Sequence, residues 1–303
     1  MSTQALDRNR LFGAYRLGRV IAEGATGMVV SAEHRTIGRT VALKTFHPLA
    51  FTRSGLSVAA LTESFLAEAR ILAAIDSPNI ITLFDAGLAR SPALSMEIPY
   101  LALALADSDL ERCLKIGAIT DQDLLRLLRG AARGLVDLHA LGWIHRDLKP
   151  ANLLILADGT PVWADLSSAW RDGEDQTRIA GTEGYAAPEA RFGGPARPGL
   201  DVFAFGATAY HALVGEPVGR LGDAVHEACL AARGGGANAR LRSGLAAIIA
   251  HCLGSTPDSR YAGARPILDD LDALAAGESP VHAPRPSSGA FLVGLWRKAT
   301  RDG

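Results

Sequence analysis

Apolar residues follow two different periods along this chain. Residues 14–32 alternate between apolar and polar positions on either side of a glycine-containing turn, and residues 40–46 alternate again. This alternation predicts a β-hairpin followed by a third strand. Farther along, apolar positions recur at helical spacing in residues 124–141, which predicts a long helix over residues 121–141, and residues 243–253 are predicted as another helix. Thr120 or Asp121 is placed to cap the first of them.

The region between the third strand and the first long helix is less regular. Residues 65–72 have helical spacing, and residues 77–81 end that helix and open a strand. The next strand could end at Met96–Glu97 or occupy residues 99–105, directly before a polar stretch. We adopt the second placement, which makes residues 90–98 a loop between strands.

A polar stretch follows the long helix. Residues 145–152 read His-Arg-Asp-Leu-Lys-Pro-Ala-Asn and lie between that helix and a short apolar run, residues 153–156. They are therefore expected on a loop held by regular elements, where catalytic residues are often found. Residues 162–165 predict another strand, which ends on the carboxylate of Asp165.

Composition excludes several classes of protein. The 303 residues are 48% hydrophobic with a formal net charge of −1, so no global field would draw nucleic acid or anionic lipid. The cysteines Cys113, Cys229 and Cys252 form no C-x-x-C pair, which indicates buried thiols in a reducing compartment. The N-terminus does not read as a secretory signal, and the longest uncharged apolar stretch is too short to span a bilayer. We expect a soluble, cytoplasmic chain.

The polar stretch resembles the catalytic loop of the protein kinase family, H-R-D-x-x-x-x-N. Other parts of the family's pattern follow the family's order along the chain. They are a glycine-containing turn at residues 23–27, Val-Ala-Leu-Lys at 41–44, a helical glutamate, Asp165, and Ala-Pro-Glu at 187–189. So many parts in the right order make the resemblance specific.

The resemblance runs from about Tyr15 to about Leu274 and implies a fold and an activity. The implied fold is α+β and two-lobed, with a small, mainly β N-lobe carrying one key helix and a larger, mainly α C-lobe. The implied activity is transfer of the ATP γ-phosphate to serine and threonine hydroxyls of proteins. The implied limits are an extension at 1–13, a kinase domain at 14–275 (N-lobe about 14–104, C-lobe about 107–275), and a proline-containing linker with a basic amphipathic tail at 276–303.

By the same resemblance, four residues would act in catalysis. Asp147 would accept the proton of the substrate hydroxyl, and Lys149 would stabilise charge on the transferring phosphoryl group. Lys44 would contact the α- and β-phosphates and pair with a helical glutamate. Glu68 is preferred to Glu63 for that pair, because the family's pattern places it just before a basic residue and an apolar pair.

Metal and nucleotide binding are implied in the same way. Asn152 and Asp165 would bind Mg²⁺, with Mn²⁺ as an alternative ion, since magnesium prefers hard oxygen ligands and ATP supplies the others. Leu103 would stand at the back of the adenine pocket, and residues 104–106 would form the hinge. The implied nucleotide-binding residues are Ile21, Gly24, Gly27, Val29, Ala42, Lys44, Leu103 and Leu105.

The chain departs from the family's pattern at two glycine positions. Ala22 stands at the first glycine of the phosphate loop, and the family's Asp-Phe-Gly reads Asp165-Leu166-Ser167. These departures keep open a second hypothesis, a pseudokinase scaffold that binds nucleotide or partners without catalysis. A small-molecule phosphotransferase is disfavoured, because Ala-Pro-Glu at 187–189 belongs to a peptide-binding segment in the family.

Regulation is predicted at three residues. Arg146 would have no close partner except Asp147 and nearby carbonyls, so a phosphate on the following segment could pair with it. Thr177 is the predicted autophosphorylation site, whereas Thr182 is the threonine that bonds Asp147 and Lys149 in the family. The resemblance also implies that residues 201–214 form the buried central helix of the large lobe, and it assigns structural roles to His145, Asp201 and a Glu189–Arg260 ion pair.

The C-terminal tail lies beyond the residues that resemble the family. Residues 281–303 carry four basic residues against one acidic residue, together with an aromatic apolar segment. Such a segment could touch a membrane surface or a partner groove, or pack on the kinase domain, or stay disordered.

Overall fold

The computed structural model of the protein describes residues 11–24, 27–46, 57–91, 96–117, 119–176, 181–218, 225–231 and 239–283. It has two lobes, a smaller one built on an antiparallel sheet and a larger one built mainly from helices. The predicted two-lobed α+β fold is therefore confirmed. The extension up to residue 10, Thr177 and residues 284–303 of the tail lie outside the described residues.

The N-lobe contains a six-stranded sheet in the order β1-β2-β3-β4-β6-β5, with every neighbouring pair antiparallel. The pairing places Ala42 opposite Leu103, and Lys44 opposite both Val29 and Leu101. Sheet register thus brings together Val29, Ala42, Lys44 and Leu103, four of the residues predicted to bind nucleotide. The strands are β1 Leu11–Phe12, β2 Tyr15–Glu23, β3 Gly27–His34, β4 Thr40–Phe46, β5 Leu83–Arg90 and β6 Glu97–Leu103.

Helix α1, Val58–Ala73, packs against one face of this sheet. The side chain of Ser57 caps it by accepting a hydrogen bond from the backbone of Ala60 at 3.2 Å. Phe65 faces inward, and its ring lies edge-on to that of Phe46 at 4.9 Å between centroids. Burial of this apolar stripe turns Glu68, one turn of helix farther on, towards β4.

The C-lobe is mainly helical, with helices α2 Leu110–Lys115, α3 Asp121–Ala140, α4 Pro198–Val214, α5 Val225–Ala231, α6 Ala239–Cys252 and α7 Ala264–Ala275. It also contains the short strands β7 Ser108–Asp109, β8 Trp143–Ile144, β9 Leu153–Ile155, β10 Pro161–Trp163 and β11 Trp170–Arg171. Thr120 caps α3 in a reciprocal arrangement with Asp123. Trp163 is fully buried and donates its indole N–H to the carbonyl of Ala131, at 2.8 Å.

Two glycines of α3 allow a close approach between this helix and the chain leaving the N-lobe. A Cβ at Gly134 would lie 2.5 Å from the carbonyl oxygen of Asn79, and one at Gly130 would lie 2.5 Å from Pro161. The side chain of Asn79 uses this space to donate to the carbonyl of Pro161 at 2.8 Å. The contact fixes β10, and with it the start of the segment that carries Asp165.

The structure corrects one strand and adjusts two helices. The predicted loop at 90–98 is wrong, because β5 continues to Arg90 and β6 begins at Glu97, opposite it. The predicted strand at 99–105 consequently ends at Leu103. Helix α4 begins three residues before Asp201, since a proline is well placed in a first helical turn, and α6 begins at Ala239.

The chain folds back after α7 onto that same helix. Asp270 is fully buried and accepts hydrogen bonds from the backbone N–H groups of Val281, His282 and Ala283 at 2.6, 2.8 and 2.8 Å. The hydroxyl of Tyr261 adds a fourth bond, at 2.7 Å. Ordered contacts therefore reach Ala283, and the domain limits drawn from the sequence stay a prediction.

Candidate active site

A lysine from the sheet and a glutamate from α1 form a buried ion pair. The Lys44 ammonium donates to both carboxylate oxygens of Glu68, at 2.8 and 2.7 Å, and to Asp165 Oδ1 at 2.8 Å. Glu68 is 2% exposed and Lys44 15% exposed, so the lysine end of the pair is the more accessible one. Glu63, the alternative partner, is instead paired with Arg70 on the surface of the helix.

The ion pair shifts three pKa values. Burial alone would lower the pKa of Lys44, but the carboxylates of Glu68 and Asp165 outweigh it and raise that pKa. Burial raises the pKa of Glu68, and the Lys44 ammonium opposes this rise. The same ammonium, helped by the Ser167 hydroxyl, holds the pKa of Asp165 well below its usual range. Lys44 is thus a cation and Asp165 an anion at neutral pH.

The backbone of the polar loop is held by Asp201 from α4. Its carboxylate accepts the N–H of His145 and that of Arg146, both at 2.8 Å, and bonds the ring of His139 at 2.9 Å. Arg146 has φ of 68°, which a side chain of its size rarely adopts. The predicted anchoring role of Asp201 is therefore confirmed, and the bonds show how this left-handed residue is maintained.

The carboxylate of Asp147 lies at the centre of the loop. One of its oxygens accepts from the Lys149 ammonium at 2.7 Å, and the other accepts from the Thr182 hydroxyl at 2.7 Å. Lys149 also donates to the Thr182 hydroxyl, at 2.8 Å. The amide N–H₂ of Asn152 donates to the backbone carbonyl of Asp147, at 2.7 Å. These bonds fix the orientation of the carboxylate.

Asp165 follows β10 in a left-handed conformation, with φ of 63°. This turns its side chain towards Lys44, while Leu166 is buried in the core beneath it. His145 is fully buried under the turn, with its ring nitrogen Nε2 3.1 Å from the carbonyl of Ala164. The structural role predicted for His145 is confirmed.

The donor set fits a hard divalent cation. The two hydrogen bonds to the Asp165 carboxylate both go to Oδ1, so no residue in the described ranges donates to Oδ2. The hydrogen bonds of the Asn152 side chain are made by its N–H₂, which leaves its amide oxygen without a donor from the described residues. One carboxylate oxygen and one amide oxygen are the kind of ligands that Mg²⁺ takes when phosphate and water complete its shell.

The predicted adenine pocket lies on the N-lobe sheet. Ala42 and Leu103 are buried and paired across β4 and β6, Val29 is half-buried, and Ile21 is 46% exposed at the rim. Leu105 follows β6 and is half-buried. The pairing of Ala42 with Leu103 puts a small and a large apolar residue side by side, and their binding of adenine stays a prediction.

Two residues of the predicted hinge have backbone N–H and carbonyl groups that make no backbone hydrogen bond with the described residues. The N–H of Ala104 donates to the carbonyl of Thr82 at 2.9 Å, but Leu105 and Ala106 make no backbone hydrogen bond with any residue in the described ranges. In the phosphate loop, Gly24 donates to the carbonyl of Gly27 at 2.8 Å, and residues 25–26 lie outside the described residues.

A cleft of about 600 Å³ adjoins this centre, between α1 and the segment that follows Asp165. Its walls include Glu68, Arg146 and Trp170. The expectation that Arg146 contacts little but Asp147 and carbonyls is wrong. Its guanidinium lies over the Trp170 ring, 5.1 Å from the ring centroid, and donates to the carbonyl of Ser168 at 3.4 Å.

The segment that follows Asp165 is tied to the C-lobe at both of its described ends. Gly173 donates to the carbonyl of Ala196 at 2.8 Å, and Gln176 donates to that of Gly194 at 3.0 Å. Beyond residues 177–180, the Glu189 carboxylate takes two bonds from Arg260, at 2.6 and 3.0 Å. The predicted Glu189–Arg260 pair is thus confirmed.

Three contacts of the site were missed from the sequence. They are the bond from the Ser167 hydroxyl to Asp165 Oδ1 at 2.7 Å, the bond of His139 to Asp201, and the stacking of Arg146 on Trp170. The contact of His139 could have been predicted from the sequence, because His139 lies in the last turn of the helix that leads into the loop. The other two depend on the path of the backbone after Asp165, which no periodicity encodes.

Comparison with known proteins gives the family. Residues 15–268 match the protein kinase domain. The chain is 34% identical over 212 residues to serine/threonine-protein kinase PknA of Mycobacterium tuberculosis, and this alignment covers 68% of this chain and 48% of PknA. It is 30% identical over 311 residues to DNA damage-responsive serine/threonine-protein kinase RqkA of Deinococcus radiodurans, an alignment that covers 96% of this chain and 40% of RqkA. It is 28% identical over 310 residues to serine/threonine-protein kinase PknB of Mycobacterium tuberculosis, an alignment that covers 96% of this chain and 47% of PknB.

The chain therefore belongs to the protein kinase family, and its similarity to bacterial members of the serine/threonine type supports the resemblance drawn from its motifs. It spans less than half the length of each of these relatives. Among the described residues, no helix is both long enough and apolar enough to cross a membrane.

Proposed function

We propose that this chain is an active serine/threonine protein kinase that transfers the γ-phosphate of ATP to hydroxyl groups of protein substrates. The observation that carries this proposal is the Asp147 carboxylate, held at 2.7 Å by Lys149 on one oxygen and at 2.7 Å by Thr182 on the other. A carboxylate held in this way can accept a hydrogen bond from a substrate hydroxyl, orient its oxygen and take up its proton.

The charges around the carboxylate suit phosphoryl transfer. Lys149 is a cation beside Asp147, where negative charge on the transferring group would need neutralising. Lys44 is fixed by Glu68 and would bind the α- and β-phosphates, with the backbone around Gly24 and Gly27 approaching them without side-chain interference. Such pre-positioned charge is the main source of rate acceleration in this reaction.

The pocket on the sheet would take the adenine. Ala42 and Leu103 would face the base, with Ile21, Val29 and Leu105 around it. The unbonded backbone groups of the hinge would hold its polar edge. Asn152 and Asp165 would hold Mg²⁺, or Mn²⁺ in its place. The bound ion would neutralise phosphate charge.

The serine/threonine class, rather than the tyrosine class, is supported by two observations. Lys149 lies two residues after Asp147 and bridges to Thr182, as in the serine/threonine members that the motif resembles. The similar proteins PknA, PknB and RqkA are all named serine/threonine-protein kinases. Protein hydroxyls are therefore the proposed acceptors.

The test is transfer of radiolabelled phosphate from ATP to a generic basic protein by the purified chain. Wild type should label the acceptor in the presence of Mg²⁺, while Lys44→Met, Asp147→Ala and Asp165→Asn should each lose labelling and keep the thermal unfolding profile of a folded protein. The competing hypothesis is a pseudokinase, which Ala22 and Ser167 favour. Nucleotide binding by wild type with no labelling of any acceptor would support that hypothesis and reject ours.

Regulation by autophosphorylation is a finer part of the proposal. Arg146 is a buried cation on the wall of the cleft next to Asp147, and phosphate on the neighbouring segment would bring about −2 charge and acceptor oxygens towards it. Thr177 is the proposed site, and it lies outside the described residues.

Intact-mass measurement and peptide mapping after incubation with Mg-ATP would test this proposal. The proposal predicts phosphate on Thr177 and reduced activity in Thr177→Ala and in Arg146→Ala. An active preparation that carries no phosphate on Thr177, or a Thr177→Ala variant with full activity, would reject it.

A further inference from the structure

Ser167 stands where the family's pattern has glycine, and its side chain bonds the aspartate of that motif. The Ser167 hydroxyl donates to Asp165 Oδ1 at 2.7 Å, and the Lys44 ammonium donates to the same oxygen at 2.8 Å. Glycine has no side chain with which to make the first of these bonds. The contact is thus a property of this chain rather than of the motif.

The serine is not explained by the shape of the turn. Among non-glycine residues in the described ranges, the positive φ angles are those of Arg146 and Asp165, so residue 167 has no conformation that requires glycine. The side chain is also exposed, so its hydroxyl could bond water instead. The hydroxyl instead bonds the Asp165 carboxylate. A hydrogen bond to a charged acceptor is stronger than one between neutral groups.

The bond gains importance when Lys44 is needed elsewhere. A lysine ammonium has three N–H donors, and here two bonds go to Glu68 and one to Asp165. A phosphate oxygen that binds Lys44 must displace one of these acceptors. Asp165 is 40% exposed and Glu68 2% exposed, so Asp165 can turn to water or a cation at lower cost.

Once Lys44 turns to the phosphate, Ser167 is the side chain left on Asp165 Oδ1 among the described residues. Its bond would keep the carboxylate in one orientation and leave Oδ2, to which no described residue donates, for the cation. Mutation of a group that hydrogen-bonds and orients a metal ligand typically lowers metal affinity by about 10- to 100-fold.

We propose that Ser167 is a positioning residue that holds Asp165 for the divalent cation bound with the nucleotide. The proposal rests on the proposed function, because it takes ATP and Mg²⁺ as the ligands of this site. It concerns how much the bound cation raises the affinity for the nucleotide. This effect can be measured without any phosphate transfer.

The experiment measures the affinity of the purified full chain for a fluorescent ATP analogue by anisotropy, once with Mg²⁺ and once with EDTA. The quantity of interest is the ratio of the two dissociation constants. Ser167→Ala should reduce this ratio by about tenfold and leave the affinity in EDTA within about twofold of wild type. Ser167→Thr, which keeps a hydroxyl, should retain the wild-type ratio.

Ser168→Ala is the matched control, because it removes the neighbouring hydroxyl, which makes no hydrogen bond within the described residues. It should retain the ratio as well. A Ser167→Ala ratio within about twofold of wild type, an equal loss of affinity with and without Mg²⁺, or a Ser167→Thr variant as weak as Ser167→Ala would each overturn the positioning role. If wild type itself shows no gain from Mg²⁺, the proposed function fails and this inference fails with it.

Discussion

The buried carboxylate of Asp270 offers a sharp test of what holds the end of the folded chain. Three consecutive backbone N–H groups, from Val281 to Ala283, and the hydroxyl of Tyr261 donate to it. Burial raises its pKa, but these hydrogen bonds outweigh burial and lower the pKa overall. The perturbation is truncation of the chain after Gly277, which removes three of the four donors and leaves the carboxylate in place.

The size of the effect follows from these bonds. A hydrogen bond to a charged acceptor contributes about 1.5–3 kcal/mol when one partner is removed from a buried site. The three losses are not additive, because removing the segment lets water reach the carboxylate in its place. We expect truncation after Gly277 to cost about 3 kcal/mol in the free energy of unfolding. For a chain of this size, with an unfolding entropy of about 2.1 cal/mol/K per residue, that corresponds to a fall of about 5 °C in the melting temperature.

The assay is thermal unfolding followed by circular dichroism, with truncation after Ala283 as the matched control. The control removes the residues beyond the contacts with Asp270 and should melt within about 1 °C of the full chain. Asp270→Asn, which loses the charge and turns one acceptor into a donor, should destabilise the full chain but have less effect on the chain cut after Gly277. Equal melting of the two truncated chains would refute the reasoning.

Three further predictions concern buried charges. Asp201→Asn should lower stability by about 3 kcal/mol in urea unfolding and abolish phosphate transfer, since an amide cannot accept from both backbone N–H groups that fix Arg146; normal transfer would contradict this. Glu189→Gln should destabilise by about 3 kcal/mol, because the Arg260 side chain is fully buried and loses its anionic partner; an unchanged urea midpoint would argue against it. The folded-state pKa values of Asp201 and Asp270 are both lowered. Their contribution to stability should therefore be complete above about pH 5 and fall as the pH drops through the folded-state values, and melting temperatures that stay level from about pH 6 to 3 would contradict this.

The elements predicted correctly are those with a long, regular pattern. The first strand of the N-lobe hairpin alternates between buried and exposed positions over much of its length, and α3 has an apolar face that is buried in the structure. In these cases burial on one side of the element imposes the same period on the sequence. The pattern was therefore sufficient to place them within a few residues.

The strand pair β5–β6 was misplaced for a physical reason. β5 is at the edge of the sheet, and its residues Phe84 and Leu88 are apolar yet 43% and 52% exposed. An edge strand with apolar residues on its open face lacks the usual contrast between buried and exposed positions. The sequence pattern does not show that Arg90 pairs with Glu97, and the pairing is seen only in the folded sheet.

The candidate site was predicted by motif rather than by periodicity. Lys44 and Glu68 are 24 residues apart, and Lys44 and Asp165 are 121 residues apart, so their contacts depend on the whole fold. The resemblance named these residues because their types and order are specific. It could not give the hydroxyl contact of Ser167, because the pattern places glycine there and a glycine carries no information about a side chain.

The most direct test of the account is the rate of phosphate transfer from Mg-ATP to a protein acceptor for wild type and Asp147→Ala, with nucleotide affinity measured on the same samples. The account predicts measurable transfer by wild type and a loss of at least about 100-fold in Asp147→Ala, because the group that orients the hydroxyl is gone. Nucleotide affinity should stay within about threefold, since Asp147 is not among the residues proposed to hold ATP. A variant that transfers phosphate at nearly the wild-type rate would contradict the account.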